Sequence, residues 1–159
     1  MRISNRLVGD VVLTQHNIAD PQNKPDSIAV ANWSFDEHMT GKYAVPAGNG
    51  EYTVMLEGNF WPSVLPNGSN WYDVPYAVMT PKRGTGANLL VPVALSASAV
   101  AYSSTRIENM FMSVGTAAGV AAKQLVDGEV DAVQDVDVAK VQAILTGVFE
   151  QRVHGPPGK

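Results

Sequence analysis

The sequence predicts an α+β fold: a mixed, mainly antiparallel sheet followed by two C-terminal helices. Three observations predict it. Short β-rich runs separated by proline and glycine clusters fill residues 7–93. Ile107, Phe111, Val114, Ala118, Ala121 and Leu125 then recur at helical spacing. Asp127-Gly128 closes that helix through a glycine cap, and a second helical pattern follows it.

Leu7-Val-Gly-Asp-Val-Val-Leu-Thr-Gln15 is β-rich and reads as the first strand. Asp20-Pro21 to Pro25-Asp26 is a polar loop. Ser27-Ile-Ala-Val-Ala-Asn-Trp33 reads as the second strand. Glu51-Tyr-Thr-Val-Met-Leu-Glu57 alternates polar and apolar, which predicts a half-buried antiparallel strand. Pro62 to Asn70 is turn-rich, centred on Pro66-Asn67-Gly68. Tyr72 to Met79 is extended, and Pro75 favours a sheet edge. Asn88 to Val93 is a short apolar run suited to a central strand. Residues 105–126 and 136–147 are the two helices, with Ser103 and Ser104 offered as N-caps of the first. Residues 1–150 form one domain, and 151–159 are read as a flexible tail.

A chain of 159 residues is long enough to bury a real core. Its hydrophobic content of 45% argues against general disorder, and 16% charged residues suggests surface buried against something. A net charge of −4 gives no electrostatic basis for binding nucleic acid. With no cysteine, disulfides, thiol nucleophiles and cysteine-ligated zinc are excluded. No apolar run reaches the roughly 20 residues of a membrane span, and no h-region follows Met1-Arg-Ile-Ser. The default expectation is a cytoplasmic protein away from membranes.

Asp36-Glu37-His38 is the densest group of titratable side chains. A carboxylate beside an imidazole suits general acid–base chemistry, and neighbours in a strand alternate, so Asp36 and His38 can share a face while Glu37 does not. Asp36, Glu37, His38 and Glu57 are the catalytic candidates for chemistry on a sugar; a solvated loop is the more common origin of such a cluster. No recognised metal spacing joins His16, His38 and Asp36, so no metal site is predicted. No G-x-S-x-G elbow surrounds Ser96 or Ser98. Trp33, Trp61, Trp71, Tyr43, Tyr52 and Tyr72 crowd one segment, either as core residues or as a platform for a carbohydrate ligand. Arg106 can hold a carboxylate, a phosphate or a carbonyl edge, or make an ordinary ion pair. Gly115-Thr-Ala-Ala-Gly119 implies a helix face that another backbone approaches, with Gly119 against it.

Several stretches occur in a specific order: Arg6 to Gln15, Asp26-Ser-Ile-Ala29, Trp33-x-x-Asp36-x-His38, Val74-Pro-Tyr76, Asn88-Leu-Leu-Val91, and Ser104-x-Arg106 leading into Gly115-Thr-Ala-Ala-Gly119. Together, over roughly residues 6–150, they resemble the C-terminal part of the FAD-dependent oxidoreductase family, in its xanthan lyase-like branch. The resemblance implies a substrate-side domain ending in a helix beside the flavin. It places Ser103, Ser104, Arg106 and Gly115 at the cofactor. The chain departs from the family pattern at Ala99, where histidine is common, and at Ser103, where glycine is common. It also departs at Ala77, where arginine often stands, and at Thr116, where glutamine does. The sequence holds no G-x-G-x-x-G fingerprint for a dinucleotide. The expectation is therefore a remnant of a flavoenzyme that does not retain FAD by itself. It would pair with a separate nucleotide-binding chain or form a homo-oligomer. The alternatives are a carbohydrate-active hydrolase or lyase and a non-catalytic self-associating protein.

Overall fold

A computed structural model describes residues 5–20, 24–60, 65 and 71–156. The turn at Pro66-Asn67-Gly68, Trp61 and the last three residues lie outside the described residues. The element order is α1 (Gln15–Ala19), β1 (Ser27–Ala31), β2 (Gly41–Gly48), β3 (Glu51–Glu57), β4 (Tyr72–Pro75), α2 (Ala99–Thr105), α3 (Glu108–Val126) and α4 (Val138–Gly147). The architecture is α+β. Among the described residues the strands form two separate antiparallel ribbons, β1 with β4 and β2 with β3.

The core gathers on the β1–β4 ribbon. Ile28, Ala29 and Ala31 from β1 and Tyr72 and Val74 from β4 are buried, and α3 and α4 both pack on β1. α3 presents Met110, Val114, Ala117, Ala118 and Ala121 to this core. α4 adds Val141 and Leu145. The helix expected at 136–147 begins at Val138, because the Asp137 side chain accepts from Lys140 N–H and caps it.

Four expectations need correction. Residues 7–15 do not form a strand. The segment runs beside 94–98 through Leu7 N–H to Ala94 O (2.8 Å) and Leu13 N–H to Ser96 O (2.9 Å), but only Leu13 and Ala97 bridge, and Gln15 already opens α1. Asn88–Val93 is not a strand either; it bends past Met79, whose carbonyl accepts from Val91 N–H at 2.8 Å. The extended segment 72–79 tightens after Pro75 into a 3₁₀ turn over Tyr76–Met79. The single helix expected from 105 is two helices. Ser98 caps α2 by accepting from Ala101 N–H, and the chain breaks at Arg106 before α3 starts from an extended Ile107.

Gly119 also corrects an expectation. It does not lie against another backbone: a Cβ on Gly115 or Gly119 would meet nothing within 4 Å. The buried stripe runs through Val114, Ala117, Ala118 and Ala121, so these glycines fall on the outer side. The β2–β3 hairpin turns at Gly48-Asn49-Gly50, where all three residues have positive φ. Every residue of β3 is exposed, so its alternation does not mark a half-buried strand. The C-terminal segment, read as loose, is held as far as Gly155. Gln151 Nε2 donates to Ile28 O (2.8 Å) and Ser113 O (3.1 Å), and Gly155 N–H donates to Asp73 Oδ1 (2.9 Å).

Candidate functional site

The break between α2 and α3 builds a cleft. Its volume is about 650 Å³, and Asp36, His38, Met39, Ser103, Arg106, Ile107 and Glu108 line it. α2 is anchored from below by Ser104, which is fully buried. The Ser104 hydroxyl donates to Trp33 O, so its oxygen accepts from Tyr72 OH at 2.7 Å. Burial pushes the Tyr72 phenol well above its ordinary range, with the Ser104 hydrogen bond opposing more weakly. This fixes Trp33 next to α2 and brings the chain from 33 to 38 across the helix junction.

Asp36 is the hub of the cleft. Its N–H donates to Ser103 Oγ (3.1 Å), and Ser103 Oγ donates in turn to Val100 O (2.7 Å). One carboxylate oxygen lies 3.2 Å from His38 Nε2, and the other lies 3.8 Å from Arg106 Nη2. Arg106 also donates to the Asp36 carbonyl. The Arg106 side chain is 8% exposed, whereas His38 is 58% exposed. A buried cation thus steadies a carboxylate, and that carboxylate orients an imidazole that reaches solvent. α3 opens at the cleft wall with Glu108, and its N-cap Ile107 contributes no side-chain acceptor.

The structure brings together Asp36, His38, Ser103 and Arg106 and leaves out the other candidates. Glu37 points away, as strand alternation requires: its backbone bridges Phe60 (2.9 and 3.1 Å), and its Oε1 is buried without a hydrogen-bond partner. Glu57 is exposed at the end of β3. Ser104 is a structural post between Trp33 and Tyr72. Gly115 lies about two turns into α3 and lines a different groove, between α3 and α4. Sequence reasoning missed Met39, Ile107 and Glu108; the signal available was their adjacency to His38 and Arg106. Among the described residues no three His, Asp or Glu side chains are placed to hold a metal ion. No helix is long and apolar enough to cross a membrane among those residues.

FAD, the cofactor implied by the resemblance, can be tested against this cleft. A polar cleft at the start of a long helix fits the ring end of a flavin, with Ser103 and Arg106 at its wall. The diphosphate end finds no counterpart, because the sequence has no glycine-rich strand-to-helix turn of the dinucleotide type. No curated protein and no solved structure matches the chain. The sequence model described as FAD dependent oxidoreductase matches residues 1–145, a span that includes the cleft and all of α3. The chain belongs to the FAD dependent oxidoreductase family.

Proposed function

We propose that this chain supplies the substrate-side part of an FAD dependent oxidoreductase, and that the α2–α3 cleft is where a hydroxylated, sugar-like substrate meets the flavin ring. The observation that carries the reading is Asp36 held between buried Arg106 and exposed His38. Oxidising an alcohol requires removal of the hydroxyl proton, and an imidazole oriented by a carboxylate is suited to accept it. Asp36 then stabilises the imidazolium, and Arg106, donating to the Asp36 carbonyl, keeps the residue in place. Bound FAD would supply the two-electron acceptor. The nucleotide end of that cofactor requires a grip from a nucleotide-binding partner, since these residues offer none.

The charge of the cleft supports a neutral substrate. Arg106 is taken by Asp36, so the cleft does not present its guanidinium to an anionic substrate. Trp33, 51% exposed on the same segment as Asp36, supports an aromatic surface for a sugar ring. The chain has three histidines, so their imidazole proton resonances are few enough to assign. Titration with a neutral hexose is expected to move the His38 resonance saturably and leave His16 and His154 still. Acetate should produce no such shift. A His38 resonance unmoved by sugar, or moved equally by acetate, contradicts the reading.

A further inference from the structure

Asn109 and Ser113, in the first two turns of α3, wall a second hollow of about 600 Å³ that shares no residue with the α2–α3 cleft. Asn32 after β1, Trp71 before β4, and Gln151 and Arg152 of the C-terminal segment complete it. Its walls are tied by hydrogen bonds. Gln151 Nε2 donates to Ile28 O (2.8 Å) and Ser113 O (3.1 Å), which joins the C-terminal segment to β1 and α3 together. Gly155 N–H donates to buried Asp73 (2.9 Å), and Gly155 then lies so close on the six-membered part of the Trp71 indole that a Cβ would overlap it.

The groups left over in this hollow are mostly donors. Arg152 is exposed, and its guanidinium has no ion pair or hydrogen bond among the described residues. The other described arginines are engaged: Arg6 with Ala97 O, Arg83 with Asp135 and Arg106 with Asp36. No carboxylate lines the hollow to hold Arg152. Asn109 commits its side-chain oxygen to Met110 N–H (2.8 Å), which leaves its NH₂ group as a donor. Gln151 has both Nε2 hydrogens on carbonyls, which leaves Oε1 as an acceptor.

We infer that this hollow binds a carboxylate carried on a hydroxylated ring, a ligand of the uronate class. A guanidinium pairs with a carboxylate through two parallel hydrogen bonds, and the Asn32 and Asn109 amides add donors beside it. Trp71, with Val30 and Pro156, offers apolar surface to the ring. Gln151 Oε1 accepts from a ring hydroxyl. A bare phosphate satisfies the donors but leaves the ring surface and the acceptor unused. A neutral sugar leaves the Arg152 charge unanswered. Since the walls are already tied, little ordering opposes binding. None of these groups belongs to the α2–α3 cleft, so the inference stands apart from the flavin reading.

The chain has three tryptophans, so ¹⁵N labelling yields three indole N–H resonances, assigned by replacing each tryptophan in turn. At constant ionic strength, glucuronate is expected to shift the Trp71 resonance saturably. Glucose and inorganic phosphate should each bind at least tenfold more weakly. Arg152→Gln should weaken glucuronate at least tenfold and erase its advantage over glucose, with the circular dichroism spectrum unchanged. Lys82→Gln, at an exposed cation outside the hollow, should change neither. A Trp71 resonance that glucuronate leaves unmoved overturns the inference. So does phosphate or glucose bound as tightly as glucuronate, or glucuronate binding indifferent to Arg152→Gln.

Discussion

Asp73→Ala removes the centre of the clasp that holds the C-terminal segment. Asp73 lies on β4, and its side chain has no exposed surface. Oδ1 accepts from Gly155 N–H at 2.9 Å; Oδ2 meets His154 Nδ1 at 2.9 Å and Lys24 N–H at 3.3 Å. The substitution strands two backbone donors and an imidazole. An unsatisfied buried donor costs about 1–3 kcal/mol. The Lys24 contact is long, and His154 is 35% exposed and can turn to water, so the lower half of that range applies to both. Full loss comes to about 3–5 kcal/mol, the range that breaking a buried pair costs. Asp73→Asn keeps one acceptor and should lose about half as much. Urea melts followed by tryptophan fluorescence measure the loss, and trypsin cleavage after Arg152 reports release of the segment. A loss under about 1 kcal/mol with unchanged cleavage would refute the reasoning, because the segment would then be held by Gln151 and Val153 alone.

The other predictions concern backbone space, burial and cofactor retention. Gly155→Ala should open the same segment, since a Cβ there would overlap the Trp71 ring; overpacking of this kind costs about 1–3 kcal/mol, read as a lowered urea midpoint. Gly119→Ala should stabilise the single chain by roughly 0.5–1 kcal/mol, because open space leaves only helix propensity to act; melts at submicromolar concentration check it. Stability should fall as pH rises above about 10, since unfolded tyrosine ionises there while folded Tyr72 stays neutral and the native state holds the extra proton. In Tyr72→Phe that alkaline loss should be shallower in thermal melts. The purified chain should be colourless; visible absorbance from FAD near one per chain would contradict the absence of a diphosphate grip.

Legibility in the sequence followed the range of the interactions. α4 was readable because its period and its Asp137 cap are local. α3 was readable for the same reason, but its start was not. Ser103 and Ser104 look like caps, yet Ser98 caps α2 and the two serines make contacts with Val100, Asp36, Trp33 and Tyr72 instead. β2 escaped notice because Pro46, Ala44 and Gly48 give no β signal; its partner β3 supplies the pairing. The apolar run at 7–15 packs without forming a ladder, which composition alone does not reveal. In the site, the two-residue spacing of Asp36 and His38 is legible as a shared face and Arg106 as a cation able to hold a carboxylate, but the helix break that places Arg106 is not. Gly115 lines the α3–α4 groove and not the cleft, and which face of a helix a small residue takes is not legible from its identity. The Asp73 clasp was invisible, since His154 lies 81 residues away.

On the proposed reading the cleft at the α2–α3 break accepts the ring end of a flavin, and no dinucleotide-type turn in the sequence grips the diphosphate. Titration with lumiflavin, the ring without its phosphates, tests both parts through quenching of flavin fluorescence. Saturable binding is expected that His38→Ala and Met39→Ala weaken, that Met112→Ala on the far side of α3 leaves unchanged, and that FAD matches within about tenfold, a factor worth about 1.4 kcal/mol. No saturable binding, binding indifferent to His38 and Met39, or FAD held far more tightly than the bare ring would contradict it.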